Sequence, residues 1–455
     1  PDALRDLVYH ILSYLATPDV TRCSGACALF REASKQLTAS GSVRLDASVS
    51  ARQLHMFALT QLARNAKHIH FDGCRFYKNS VVGLVRHLRS NFCLETVIIS
   101  NVGPSGGACP VDFLVGQLLA PLPEGKRDSL RRVECDLRLD SWAAAMKLHM
   151  SRDVASPRNL LRVKRLVLHP STDSGLPPLP AMRTDMFSGL RIFDASSGAL
   201  RNPQARGAQE QFVAEQNLPF ATRRLMASLT HFVLETTTLE KLLLCSCPLA
   251  FVSNQSIDEA SGAGPEDGVF WVQDPGFSLV RALSANTSLL ELDLSCCQAD
   301  AAAGAQLGAT VARHPTLRSL NVAHNPLLDA GAAAIADGAV ASKSLRHLRM
   351  PFTGAADGTC AALALTLRPA DASAGLETLV LSGCNVTAAG VASLAAVGGV
   401  LPPAGEEGDE YPMRRGRLRV LDLSANHLIG DAGARAIAKA LGAPSLRHLR
   451  ELRLG

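Results

Sequence analysis

The chain has 455 residues, of which 47% are hydrophobic and 19% are charged, and this is the composition of a folded protein with a large core rather than of a disordered one. Its formal charge of +5 is spread over 46 basic and 41 acidic residues with no block of like charges, which argues against a nucleic-acid partner and against a basic membrane-binding arm. The longest nearly uncharged apolar run, 388–401, is well short of the ~20 residues that cross a bilayer.

The first 40 residues predict a small bundle of three helices. The apolar residues of the first helix recur three and four positions apart, on one helix face: Leu4, Leu7, Val8, Ile11, Leu12 and Leu15. Thr17 is placed to cap a second helix that begins at Pro18, and Val20 and Phe30 continue the apolar stripe. A bundle of this size is too small to be stable alone, so its apolar face needs a partner, which is either the following repeats or another protein.

The rest of the chain repeats one template, L-x-x-L-x-L-x-x-N/C. Its clearest copies are "LLELDLSCC" at 289–297, "LRSLNVAHN" at 317–325, and three more that begin at Leu345, Leu376 and Leu418. The first three begin 28 residues apart, and the later ones are farther apart because loops are inserted. Weaker copies extend toward the front, with a degenerate strand at 42–48 and then 66–74, 94–102, 130–137, 163–170, 190–198 and 239–247.

The two ends of the chain predict that it is part of a longer protein. The last copy of the template, 449–455, stops in mid-repeat, whereas a solenoid needs a polar cap on its last turn. The first residue is Pro1 rather than Met, and no signal peptide is visible. We therefore expect residues before Pro1 and after Gly455.

This template resembles the leucine-rich repeat of the ribonuclease-inhibitor type, in which each turn of a horseshoe holds a short strand and a helix. The resemblance implies an α/β fold, a solenoid with a parallel sheet of roughly a dozen strands on its concave side and helices outside. It also implies that cysteines at the N/C position are buried beneath the turn that follows each strand: Cys74, Cys247, Cys297 and Cys384.

The front piece resembles the F-box. The resemblance rests on a Pro at its head, the stretch "ILSYL", an acidic residue in "PDVTRCS" and C-x-x-F in "CALF". It implies an F-box-like bundle over 1–40, followed by the solenoid over 41–455, and F-boxes are often followed by leucine-rich repeats. The solenoid then carries insertions near 197–235, 248–278 and 398–416. By this resemblance, six residues dock on a Skp-type adaptor of a cullin-RING ubiquitin ligase: Pro1, Leu4, Ile11, Leu12, Leu15 and Val20.

The concave face is the first surface on which we expect a protein partner. Residues between the template leucines point to that face because side chains alternate along a strand. An apolar row is expected at Val167, Ile192 and Leu243. Beside it the sequence predicts charged and polar side chains: Glu291, Asp293, Asn321, His347 and Arg349. An apolar strip next to charged groups is typical of a surface that binds a protein segment.

The insertion at 251–277 is the second candidate binding surface. It combines aromatic residues with carboxylates, and the aromatic ones are Phe251, Phe270, Trp271 and Phe277. Such a loop is able to cover the concave face or to anchor a basic partner, and equally it is able to pack its aromatics on the flank of the solenoid.

No catalytic, cofactor or metal site is predicted. His68 and His70 lie on one strand face about 7 Å apart, but the neighbouring strands offer at most one carboxylate, and zinc takes four ligands, or three and a water. The sequence contains no glycine-rich phosphate loop. We therefore expect a protein that is not an enzyme and holds no cofactor.

Two functions fit these expectations. The first is a substrate receptor of an SCF-type cullin-RING ubiquitin ligase, whose front helices hold the adaptor and whose repeats hold the substrate. The second is a structural scaffold of a large assembly, such as a ciliary axoneme or a cytoskeletal complex, in which the front bundle caps the solenoid. The cap requires Ile11, Leu12 and Leu15 to pack against Val43 and Leu45.

The number and spacing of the cysteines indicate the redox state of the compartment in which the protein is found. Twelve cysteines are spread over the chain with no C-x-x-C pair, which is unlike the disulfide framework of a small secreted domain. A reducing compartment follows, and we expect the cytoplasm, with the cilium, the cytoskeleton or the nucleus as alternatives.

Overall fold

The structure is a computed structural model that describes part of the chain. The described residues are 42–45, 66–74, 76, 78–91, 93–100, 111–119, 129–139, 161–168, 187, 189–195, 229–245, 279–366, 375–396, 417–441 and 449–455. The predicted front bundle with its six adaptor-binding residues lies outside them, as do Cys247 and the aromatic residues of the insertion at 251–277.

The described strands fall into two compact units, the first with β1 to β5 through Val167 and the second with β6 to β13. In the first unit the strands are β1 Ser42–Leu45, β2 His68–Asp72, β3 Thr96–Ser100, β4 Arg132–Leu139 and β5 Leu161–Leu168. They are parallel and paired in chain order, with Val43, Ile69, Val97 and Val133 in one register line. Its described helices are α1 Lys78–Arg89 and α2 Val111–Leu119.

The second unit contains eight short strands. They are β6 Ile192–Asp194, β7 Lys241–Leu243, β8 Glu291–Asp293, β9 Ser319–Asn321, β10 His347–Arg349, β11 Thr378–Val380, β12 Val420–Asp422 and β13 Glu451–Arg453. Each described helix lies between consecutive strands: α3 Leu279–Ala285, α4 Ala301–Arg313, α5 Leu328–Ala341, α6 Asp357–Thr366, α7 Ala388–Ala396 and α8 Gly430–Leu441. Residues 229–235, within a predicted insertion, are also helical.

The alternation of short parallel strands and helices confirms the leucine-rich-repeat solenoid that the template predicts. The central leucine of each strand pairs with that of the next, so that Leu292, Leu320, Leu348 and Leu379 follow one another across the sheet. These leucines are fully or almost fully buried, and burying each one stabilises the fold by about 2 kcal/mol. The repetition of this contact in every turn makes the strands parallel and keeps their order that of the sequence.

The N/C position of the template closes each repeat with side-chain hydrogen bonds. Asn325 donates from Nδ2 to the carbonyl oxygens of Leu294 and Val322, both at 2.8 Å. Where the template has cysteine, the thiol donates to the preceding repeat, as Cys297 does to Leu244 O at 2.9 Å. Cys74 and Cys384 are buried in the same way and donate to Leu45 O and Met350 O. The described cysteines at this position are therefore part of the core.

Helices α4 and α5 pack with their backbones in direct contact. The glycines at their interface have no room for a side chain, since a Cβ at Gly308 would lie 2.2 Å from the carbonyl oxygen of Ala334. A Cβ at Gly338 would lie 2.2 Å from the carbonyl oxygen of Gly308, and one at Gly304 would lie 2.7 Å from the Cα of Gly331. The small residues in these repeats therefore set the distance between neighbouring helices.

Asp329 links two repeats, because it caps the helix of the next one. Its carboxylate accepts hydrogen bonds from the backbone N–H groups of Ala356 at 2.8 Å, Gly358 at 3.1 Å and Thr359 at 2.9 Å, and from the Thr359 hydroxyl at 2.7 Å. Burial raises the pKa of Asp329, but the hydrogen bonds from Thr359, Ala356 and Gly358 outweigh it, so the pKa is below its usual value. Asp357 caps the following repeat through Thr387 in the same way.

Replacing Asp329 with alanine is expected to lower the free energy of unfolding by about 1–2 kcal/mol, because four donors at the start of α6 lose their acceptor. The difference in unfolding free energy between the wild type and the variant should shrink as the pH falls through the lowered pKa of Asp329, since the protonated carboxyl is a weaker acceptor. Urea unfolding at pH 7 measures it, with the exposed Asp337 of α5 replaced by alanine as the control. Equal losses in the two variants would contradict the cap.

His314 takes the place of an amide at the turn between α4 and β9. In the equivalent turn before β8, Asn286 accepts from Leu289 N through Oδ1 and donates from Nδ2 to Val233 O at 2.7 Å. His314 accepts from Leu317 N through Nδ1 at 3.1 Å, so its hydrogen is on Nε2, and that nitrogen is buried with no hydrogen-bond partner among the described residues. Burial lowers the pKa of His314 to about 4.

Acid is therefore expected to destabilise the protein through His314. As the pH falls from about 6.5 to about 4, the unfolded histidine binds a proton that the folded one does not, and this lowers the free energy of unfolding by about 3 kcal/mol. His314→Asn replaces the imidazole with the amide that Asn286 has at the equivalent position. It should remove this part of the dependence of the unfolding free energy on pH. Urea unfolding of both proteins at pH 7, 6 and 5 gives the comparison, and parallel curves would contradict the assignment.

Candidate protein-binding face

The open face of the second unit consists of the two rows of side chains that point away from the core on its strands. The first row runs Ile192, Lys241, Glu291, Ser319, His347, Thr378, Val420 and Glu451, and the second runs Asp194, Leu243, Asp293, Asn321, Arg349, Val380, Asp422 and Arg453. Most of these side chains are half-buried or exposed, whereas the leucines between them are buried. The open face is thus the accessible side of this sheet.

The structure places the predicted binding residues on such faces and changes one detail of their arrangement. Val167 is half-buried on β5 of the first unit. Ile192 lies opposite Lys241 in the first row, whereas Leu243 lies between Asp194 and Asp293 in the second. The expected apolar row is therefore wrong for Ile192 and Leu243. The register places a charged residue beside each of them, because the two residues hold different positions within their strands.

Neighbouring side chains hold most of the predicted charged residues in place. Glu291 forms an ion pair with Lys241, with 2.5 Å between the carboxylate oxygen and Nζ. Asp293 accepts from Asn321 Nδ2 at 2.8 Å. His347 hydrogen-bonds through Nδ1 to the hydroxyl of Thr378 at 3.0 Å.

Arg349 differs from these neighbours. It is exposed, and its guanidinium forms no hydrogen bond or ion pair to any described residue. The sequence did not distinguish this arginine from the paired charges around it.

In the first unit His70 belongs to a hydrogen-bonded group that the sequence only partly indicated. Its Nε2 lies 2.6 Å from the hydroxyl oxygen of Ser100, and that hydroxyl is 3.2 Å from Oδ1 of Asp72, which is paired with Arg44. If Ser100 donates to Asp72, it must accept from His70, so it is not an activated nucleophile. Asp72 was missed, although its spacing on the strand puts it on the same face as His68 and His70.

The electrostatics of this group are those of a half-buried hydrogen-bond network. Burial lowers the pKa of His70, and the negative charge of Asp72 opposes this shift without cancelling it. His68 is exposed on the same strand. Among the described residues no three His, Cys, Asp or Glu side chains are grouped so that they would hold a metal ion. In the described part of the chain no helix is long and apolar enough for a membrane span.

The turns after the strands share a conformation that the template does not reveal. The residue seven positions after the first leucine has a positive φ in five successive repeats: Cys296, His324, Phe352, Gly383 and Ala425. Only one of these residues is glycine, although the left-handed region costs other residues about 1 kcal/mol. The turns carry Phe352 and His324 to the end of the open face, where their rings stack with centroids 4.7 Å apart.

The comparisons with known proteins agree with the repeat. A family model described as "Leucine Rich repeat" matches residues 285–298, 313–336, 375–395 and 418–438. The chain therefore contains leucine-rich repeats, and these imply a role in protein interaction. No curated protein matches the chain.

Two solved structures are similar to the chain at a low level. An internalin from Listeria monocytogenes is 12% identical, with a TM-score of 0.36, and the match covers 90% of this chain and 83% of that one. A structure of a TLR13–ssRNA13 complex is 15% identical, with a TM-score of 0.35, and the match covers 91% of this chain. This chain spans 46% of the length of TLR13.

Proposed function

We propose that the chain is a non-catalytic protein-interaction subunit that binds its partner on the open face of the second unit. The observation that carries this proposal is the face itself, where accessible charged and apolar side chains stand on a rigid row of parallel strands. A rigid surface of this kind loses little conformational entropy on binding. The seven predicted face residues of this unit remain candidates for these contacts, and Val167 remains a candidate on the first unit.

The finer proposal is a substrate receptor of an SCF-type cullin-RING ubiquitin ligase, with repeats of the ribonuclease-inhibitor type. Its support is the F-box resemblance of residues 1–40, ahead of the repeats. In this proposal the front helices bind a Skp-type adaptor and the repeats bind the substrate. The receptor then contributes by proximity, because it raises the effective concentration of substrate lysines near the activated ubiquitin.

A scaffold subunit of a large ciliary or cytoskeletal assembly is the second candidate. It requires the front helices to pack against Val43 and Leu45 of β1, which are 4% and 2% exposed. The front helices lie outside the described residues, so this contact stays a prediction of the scaffold proposal.

A pull-down of the full-length protein from its own cells tests the receptor. The wild type is compared with a double variant, Ile11→Asp and Leu12→Asp, and with Ser13→Asp, which puts the charge beside the apolar stripe. We expect a Skp-type adaptor and a cullin with the wild type and with Ser13→Asp, and neither with the double variant. A stable set of cytoskeletal proteins without an adaptor in all three samples would replace the receptor with the scaffold.

A further inference from the structure

Every described carboxylate on or beside the open face has an interaction partner within the protein. Glu240 pairs with Arg191, Glu377 with Arg419, and Glu451 and Asp422 with Arg453. Glu291 pairs with Lys241, and Asp293 accepts a hydrogen bond from Asn321, as described above. Asp194 also has a partner, so every described carboxylate on the second unit's face interacts with another residue. Several of the negative charges on this face are therefore already offset by arginine or lysine side chains of the protein itself.

The arginines outnumber these carboxylates on the strands from β9 to β13. Seven arginines lie in these strands or within the three residues before them, against three carboxylates, Glu377, Asp422 and Glu451. The seven are Arg318, Arg346, Arg349, Arg417, Arg419, Arg450 and Arg453. Three of the seven, Arg318, Arg349 and Arg450, are exposed, and their guanidinium groups form no hydrogen bond or ion pair to a described residue. This end of the face therefore carries unneutralised positive charge.

Arg346 shows that the positive charges interact with one another. Burial lowers its pKa first, and the charges of Arg417 and Arg318 lower it further, against the opposing effect of Glu377. Like charges that repel one another in the unbound protein are relieved when a negative group binds between them.

An exposed apolar patch lies at the end of the same strands. We define it as His324, Leu328 and Phe352, of which Leu328 is 61% and Phe352 is 52% exposed. The backbone N–H of Leu328 donates to the carbonyl of Thr353 at 3.0 Å, which holds Leu328 against the turn that carries Phe352. The ring of Phe352 covers Gly383, where a Cβ would lie 2.2 Å from the ring.

The patch is not explained by stability. All three of its residues have positive φ, at 55° for His324, 56° for Leu328 and 54° for Phe352. Glycine or asparagine adopts this conformation at a lower cost, and leaving large apolar groups in water adds nothing to folding. A binding role accounts for side chains that are both strained and exposed.

We propose that the open face from β9 to β13 binds an acidic peptide segment of a partner protein, with carboxylates at Arg318 and Arg349 and an aromatic or aliphatic side chain on the apolar patch. Arg349 and Phe352 are three residues apart along one strand and its turn, roughly 10 Å, so an extended peptide would carry its acidic and apolar residues about three positions apart. This inference rests on the proposed protein-binding function and names the chemistry of the partner.

A protein segment fits this face better than RNA does. Asp293, Glu377, Asp422 and Glu451 stand among the arginines, and they would repel a continuous chain of phosphates. A peptide places its carboxylates singly and is able to avoid them. Val380 and Val420 between the charged residues also favour a partner with apolar side chains.

Selection from a library of random dodecapeptides against the full chain tests the proposal. We expect enrichment of Asp and Glu with Phe, Tyr or Leu about three positions away. The enriched peptides should bind about tenfold more weakly to Arg349→Gln, which loses a charge-assisted hydrogen bond. Arg191→Gln is the matched control, because Arg191 is an exposed arginine that Glu240 already neutralises, and binding to this control should be unchanged.

Phe352→Asn tests the patch separately, since asparagine tolerates the positive φ. It should also weaken binding while the thermal melting curve confirms the fold. Enrichment of basic peptides, no enrichment at all, equal loss with Arg191→Gln, or tighter binding of a 12-mer of oligouridylate would each overturn the proposal. A partner recovered in the pull-down that crosslinks to this face without an acidic segment would overturn it too, while the protein-binding function would stand.

Discussion

Replacing Gly308 with alanine is expected to lower the free energy of unfolding by about 3 kcal/mol or more, although alanine is the better helix former by about 1 kcal/mol. The reason is that the new Cβ would lie 2.2 Å from the carbonyl oxygen of Ala334 and 2.7 Å from its carbonyl carbon. Both are backbone atoms, so α4 and α5 have to move apart, and the leucines packed beneath them lose contact. Urea unfolding of the full chain measures the change.

Ala309→Leu is the control for Gly308→Ala, because Ala309 is the next residue of the same helix and is exposed. It adds a larger side chain and should change stability by less than about 0.5 kcal/mol, as surface substitutions usually do. A Gly308→Ala protein as stable as the wild type would show that the helices are farther apart than the structure has them.

Asn325→Ala is the second large effect, with an expected loss of about 3 kcal/mol. Its Nδ2 hydrogens are shared by the carbonyl groups of Leu294, Val322 and Ala323, and its Oδ1 accepts from Ala299 N at 3.0 Å. Alanine leaves these backbone groups buried without a partner, which costs more than the hydrogen bonds contribute.

Asn325→Thr separates this explanation from a general loss of packing. Thr353 occupies the equivalent position one repeat later and donates from its hydroxyl to Met350 O at 2.9 Å. Threonine should therefore recover part of the loss by donating to Val322 O, but not the bond to Ala299. Equal denaturation midpoints for the alanine and threonine variants would refute the role assigned to the side-chain donor.

The strands and the core were predictable because one template repeats. Each copy places leucines at fixed positions, and even the degenerate copy contributes β1, Ser42–Leu45. The cysteines at the N/C position were predictable for the same reason, and Cys74, Cys297 and Cys384 are buried where the resemblance puts them.

Contacts between repeats were harder to predict. Asp329 caps the helix of the next repeat, and nothing in its own repeat indicates this, since an aspartate near a helix start usually caps its own helix. The register across β6 and β7 also depends on how two strands align, so Ile192 and Leu243 could not be assigned to one row from the sequence.

The sequence contains a pattern that indicates a row of arginines at the start of strands on the open face. The dipeptide Leu-Arg opens the strands near β9, β10, β12 and β13, which puts Arg318, Arg346, Arg419 and Arg450 at equivalent positions. Which arginines are paired depends on contacts with neighbouring strands, such as Glu377 with Arg419, and these are a property of the folded sheet.

Site-specific photo-crosslinking tests the central claim, that the open face binds a protein partner. A photoreactive phenylalanine analogue is placed at Ser319, in the first row between Glu291 and His347, or at the exposed Ala309 on α4, and the full-length protein is irradiated with the partner identified by the pull-down. The account predicts a crosslinked partner from Ser319 and none from Ala309. Crosslinks from Ala309 with none from Ser319 would place the partner on the helices and contradict it.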